Sequence, residues 1–142
     1  MYQKILLALE NSRADKSLLP HITKLAQLCN SQLLLVHVAD GWVARYYNQL
    51  SLAESDEMKE DRRYLEDTAE ALRGAGLVVA THLALGDPPR EILKVAQSER
   101  CDLIAMTTHG HRLIGDIIFG STITRVRHQA EVPLLLVRAT HD

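Results

Sequence analysis

The sequence predicts an α/β fold built on a parallel β-sheet with helices on both faces. Five short apolar runs alternate with segments of helical periodicity, which is the rhythm of βαβ units. Four of the five are nearly continuous in Ile, Leu, Val and Ala, as strands are when helices cover both of their faces. A glycine turn at Gly110 follows the fourth run, and a Gly-Ser step at Gly120 and Ser121 lies ten residues further on.

The first run, residues 4–9, is KILLAL. Ala14, Leu18, Ile22, Leu25, Ala26 and Cys29 then recur at helical spacing and predict a first helix over residues 14–30. The second run covers residues 32–38. Residues 40–55 are too many for an ordinary strand-to-helix connection. Trp42, Tyr46 and Tyr47 make this segment a lid or a subunit contact, or else Val43, Tyr47 and Leu50 form one amphipathic turn lying on the domain.

A second helix, from Glu54 to about Arg73, is heavily charged, with a narrow apolar seam at Met58, Leu65, Ala69 and Leu72. Gly74 and Gly76 stop it. The third run, residues 78–85, is interrupted by Thr81 and His82 and belongs near a sheet edge. Gly86, Asp87, Pro88 and Pro89 read as a loop, an N-cap and a proline first turn for a third helix carrying Ile92, Leu93 and Ala96. The fourth run is residues 102–107 and the last is residues 133–137. Between them a fourth helix is expected to start at Gly120-Ser121 and run to about Ala130.

With 142 residues, 46% of them hydrophobic, the chain has the size of one compact domain, residues 1–142. Sixteen basic against eighteen acidic residues give a net charge of −2, which argues against nucleic acid or an anionic membrane as the main partner. Met1 leads straight into KILLAL with no targeting pattern, and no apolar run approaches the ~20 residues that span a bilayer. A cytoplasmic protein is expected, with Cys29 and Cys101 as small buried hydrophobes rather than a disulfide.

In an open parallel sheet, ligands gather beyond the carboxyl ends of the strands, where the winding reverses. The residues at those exits are Ala8, Leu9 and Glu10, then Val38 to Asp40, then Met106 to Gly110. A helix opening at Gly120 would aim the backbone N–H groups of Gly120, Ser121 and Thr122 at an anion, most simply a phosphate.

Other chemistries fit less well. Gly110 to Gly115 matches the start of a P-loop, but Asp116-Ile117 stands where Lys and Ser/Thr are needed. His109, His111 and His128 lack the spacing of a metal site, and His111 beside Arg112 better supplies charge near phosphates. Ser121, His109 and Asp116 have the residue types of a hydrolase triad without a nucleophile elbow. Arg125, Arg127 and His128 form a solvated basic face or complement a helix C-terminus, and His37, inside an apolar strand, reads as a hydrogen-bonded core histidine.

The spacing of Gly110, nine residues, then Gly120-Ser121, together with KILLALENS, LLLVHVAD, CDLIAMTTHG and VPLLLVR in that order, resembles the universal stress protein family along the whole chain. Two positions depart from its pattern: Thr107 stands where nucleotide-binding members have glycine, and Glu10 where the first strand ends in aspartate. The resemblance implies a sheet ordered 3-2-1-4-5 and an adenine nucleotide, ATP or AMP, with any Mg2+ held by its phosphates. Carried over by position, adenine would meet Ala8, Leu9 and Val38, and ribose would lie near Glu10 and Thr107 at the exit that follows Met106. Phosphates would meet Gly110, His111, Arg112, Gly120, Ser121 and Thr122. It further implies a homodimer through the edge strand at residues 133–137, and a stress-response regulator that works by binding nucleotide and an unidentified regulatory protein rather than by rapid turnover.

Overall fold

The computed structural model describes residues 1–39, 56–108 and 116–140. Five strands, β1 (Lys4–Ala8), β2 (Gln32–Ala39), β3 (Val79–Leu85), β4 (Leu103–Thr108) and β5 (Leu134–Arg138), pair in parallel in the order β3-β2-β1-β4-β5. Four helices alternate with them: α1 (Asp15–Cys29), α2 (Asp56–Gly74), α3 (Pro88–Ser98) and α4 (Asp116–Gln129). The five-stranded order 3-2-1-4-5 matches the expectation, and each strand lies within one residue of its apolar run.

Alternation along the strands divides the core into two layers. Ile5, Leu7, Leu33, Leu35 and Ala105 face α1 and α2, meeting Leu18, Ile22, Leu65 and Ala69. Leu6, Ala8, Leu34, Val36, Ile104 and Met106 face the other way, onto Ile92, Val95 and Ala96 of α3 and Val126 of α4. Both faces of β1 are therefore covered, which is why its sequence is apolar without alternation. β3 lies at one edge, as its Thr81 and His82 foretold.

Connections obey local chemistry. α1 ends at Asn30, whose left-handed backbone (φ 57°) lets the chain turn back and the Ser31 N–H reach the Ala26 carbonyl at 2.9 Å. At Gly86 a φ of +133° is open to glycine and strained for other residues, and this turn brings the Gly86 N–H to the Ala39 carbonyl at 3.2 Å. The seam of α2 is buried as expected at Met58, Leu65, Ala69 and Leu72.

Two expectations, the start of α4 and the burial of Cys29, need correction, while Asp87 stands at the N-cap of α3 as expected. α4 begins at Asp116, not at Gly120-Ser121, so Gly120, Ser121 and Thr122 stand inside the helix. The residues after Asp116, Ile117 to Phe119, extend the helical run backwards, and an internal glycine costs only about 1 kcal/mol against alanine. Asp87 occupies the N-cap position of α3 but makes no side-chain cap bond; it accepts instead from Arg125 Nη1 of α4 at 2.9 Å. Of the two cysteines, which are both free thiols, only Cys101 is buried, and Cys29, the last residue of α1, is half-buried.

Candidate functional site

The sheet order places the reversal of winding between β1 and β4, so the exits of these strands lie side by side at the carboxyl edge. Ala8 and Leu9 are buried, and the Leu9 N–H extends the β1–β2 ladder to the Val36 carbonyl at 2.8 Å. Val38 is partly buried near the end of β2 and packs with the α3-side layer. Met106 is fully buried in that same layer, so its side chain serves the core and only its backbone borders the exit.

Glu10 and Thr107, the two departures from the family pattern, meet. The Thr107 hydroxyl donates to Glu10 Oε2 at 2.6 Å, and Ser12 Oγ donates to Glu10 Oε1 at 3.2 Å. Thr107 is 1% exposed, so its hydroxyl is satisfied by protein rather than by water.

Behind Glu10 lies a polar cluster that the sequence reading missed. The Asp15 carboxylate, 1% exposed at the start of α1, accepts the Glu10 N–H at 3.0 Å, the Asn11 N–H at 2.9 Å and the Tyr64 hydroxyl at 2.6 Å. Burial raises the Asp15 carboxyl above its usual value, outweighing the lowering effect of these bonds, and the nearby Glu10 charge adds to the rise. The Tyr64 hydroxyl is pushed up by burial and by its bond to Asp15.

Asn11, in the left-handed region at φ 58°, donates its side-chain amide to Asp61 Oδ1 at 2.8 Å. Asp61 Oδ2 lies 3.3 Å from His37 Nε2, and His37 Nδ1 lies 2.8 Å from the Leu9 carbonyl. A carbonyl only accepts, so Nδ1 carries the hydrogen. His37 is thus the hydrogen-bonded core histidine expected from its place in β2. The signal for the cluster was available at Asp61, which falls three residues after Met58 and four before Leu65, on the buried seam of α2.

On α4, Ser121 is exposed and Thr122 is buried. Both lie past the first turn, so their N–H groups belong to the helical ladder and do not open onto an anion. The expected phosphate residues Gly110, His111 and Arg112 lie outside the described residues, as do His109 and the segment with Trp42, Tyr46 and Tyr47. Among the described residues no group of three or more His, Cys, Asp or Glu could hold a metal ion, and no helix is long and apolar enough to cross a membrane.

Comparison with known proteins agrees with this architecture. The model of the universal stress protein family matches residues 1–138. Universal stress protein MJ0577 of Methanocaldococcus jannaschii is 26% identical over 97% of this chain and 96% of its own length. A universal stress protein of Thermus aquaticus is 32% identical over 97% of this chain and its entire length. The solved structure of MJ0577 superposes with a TM-score of 0.82 at 27% identity, covering 100% of this chain and 99% of that one. The universal stress protein of Archaeoglobus fulgidus, solved in complex with dAMP, shares the fold at a TM-score of 0.71 and 20% identity, covering 96% of this chain and 98% of that one.

Proposed function

The chain belongs to the universal stress protein family, and from that premise we propose that it binds an adenine nucleotide, ATP or AMP, and acts as a cytoplasmic stress-response regulator. The observation that carries the proposal is the place of the Glu10 carboxylate at the reversal of winding between β1 and β4, with the apolar exit residues Ala8, Leu9 and Val38 beside it. Apolar exits suit a purine, and a carboxylate is the acceptor that sugar hydroxyls need.

In this reading adenine lies on Ala8, Leu9 and Val38, and the sugar lies by Glu10 and Thr107. Phosphates face Gly110, His111, Arg112 and the exposed Ser121, with any Mg2+ carried by the phosphates themselves. Thr122, already buried and engaged, supports the helix rather than reaching the ligand. No side chain is assigned a catalytic role, and the activity proposed is binding coupled to a partner protein. Calorimetric titration with millimolar ATP, ADP and AMP tests it: saturable heat is expected, and its absence for all three overturns the nucleotide reading.

A homodimer through β5 completes the proposal. β5 is an edge strand carrying Leu134, Leu135 and the exposed Leu136, a surface that a second copy would cover by antiparallel pairing across a two-fold axis.

One observation favours a second reading, a nucleotide-free dimeric interaction module. The Glu10 carboxylate already accepts the hydroxyls of Thr107 and Ser12 within the chain. If Thr107→Gly creates nucleotide binding that the parent lacks, this second reading stands.

A further inference from the structure

α3 closes at Ser98 and α4 at Gln129, and between the ends of these two helices lies a cleft of about 120 Å3. Cys101, shortly before β4, and Val132, shortly before β5, both line it. The cleft therefore stands at the amino edge of the sheet, opposite the strand exits, and owes nothing to the nucleotide reading. Its depth is apolar, with Ala96 and Ile104 buried beside the Cys101 thiol. Burial pushes that thiol up to about 11, so it is neutral at physiological pH. The exposed rim is polar, made by Gln97, Gln129 and Glu131. Among the described residues, the side chains of Cys101, Gln97, Gln129 and Glu131 make no hydrogen bond or ion pair, although Cys101 is only 5% exposed and a buried polar group ordinarily has a partner.

We propose that this cleft is a second ligand site, which takes a small primary amine with a compact aliphatic or aromatic body. Size sets the body: the volume approaches the about 150 Å3 of an engineered apolar cavity that takes up benzene. Charge sets the head. Among the described residues Glu131 is the one charged group in the lining, and the carbonyl ends of two helices add partial negative charge on the same side. The body lies against Ala96, Cys101 and Ile104, while the ammonium donates to the Glu131 carboxylate and to the side-chain oxygens of Gln97 and Gln129.

Amide NMR titration of the full chain with isoamylamine, isoamyl alcohol and isovalerate tests the inference, because the three probes share a five-carbon body and differ in charge. The amine is expected to shift the signals of Ala96, Cys101 and Val132 saturably and to bind about threefold tighter than the alcohol, the size of one exposed ion pair. Isovalerate is expected not to saturate. Glu131→Gln, at an exposed position, is expected to bring the amine to parity with the alcohol. Ala130→Leu, which fills the cleft from its lining, is expected to abolish the shifts. Four results overturn the proposal: no saturable shift with any probe, isovalerate binding as tightly as the amine, a preference for the amine that survives Glu131→Gln, or shifts that persist in a folded Ala130→Leu. If Ala130→Leu does not fold, Glu131→Gln decides. None of these results depends on whether a nucleotide binds at the other end of the sheet.

Discussion

The Tyr64 hydroxyl of α2 lies 2.6 Å from Asp15 Oδ2 at the start of α1, and through that carboxylate it is tied to the backbone of Glu10 and Asn11. A helix on the outer layer thereby holds the loop that carries the candidate ligand-binding carboxylate. Tyr64→Phe removes the hydrogen bond to Asp15 together with the one from the Thr68 side chain, and leaves the ring packing in place. It is expected to destabilise the fold by about 1.5–3 kcal/mol in urea titrations. A change under about 0.5 kcal/mol would mean that the bond contributes little.

Asp15 makes stability depend on pH with a definite sign. Its carboxyl is raised from the ordinary 3.8 by burial, so the folded state binds the proton more tightly than the unfolded chain. The stability contributed by the group is full below pH 3.8 and is lost as pH rises through the folded value. Measured against Asp15→Asn, which does not titrate there, the natural protein's relative stability is expected to fall as pH rises from 3.8 through the folded value. Urea titrations of both proteins across that range check it, and a relative stability that rises with pH contradicts the assignment.

The thiols should separate by reactivity. Burial pushes the Cys101 thiol up to about 11, while Cys29 is half-buried at the end of α1. At about pH 8 an aromatic disulfide reagent is expected to modify one thiol per chain promptly and the second only after denaturant is added. Peptide mapping should find the first label on Cys29; equal labelling of both would contradict the burial of Cys101.

Leu136 tests the assembly. It is 39% exposed in the edge strand β5, so a charge there should leave the monomer's core intact while opposing a second copy. Leu136→Arg is expected to weaken self-association at least tenfold in sedimentation equilibrium, with an unchanged far-ultraviolet circular dichroism spectrum. Equal association of the two proteins would place the dimer contact elsewhere.

Most of the fold was legible because apolar runs without alternation identify strands covered on both faces, as at Leu33 to Val36. Even the edge position of β3 could be read from Thr81 and His82. The order of the strands came from the family resemblance rather than from periodicity. Gly120 misled the reading of α4 because glycine marks helix ends more often than interiors, whereas here the helix runs through it.

At the candidate site, Glu10 and Thr107 were each recognisable as departures from a pattern, but their hydrogen bond spans β1 and β4, and no local rule joins positions so far apart. Of the cluster of Asp15, Asp61 and Tyr64, Asp61 alone carried a local signal, its place on the buried seam of α2. Charged residues on helices read as solvated faces until the fold brings three elements around them.

The register that pairs Ile5 with Leu103 has a consequence for synthesis of the chain. On the ribosome β1 emerges first, and it can pair with β2 as soon as Gln32 to Val36 have followed. Its other edge, and the backbone N–H groups of Gln3 and Lys4 that the Asp102 carboxylate accepts at 2.8 and 3.0 Å, must wait for the last third of the polypeptide. Until then the nascent protein presents an apolar strand with an open side, the species that chaperones hold and that aggregates form from. The central strand of the finished sheet is therefore the most vulnerable one during its making.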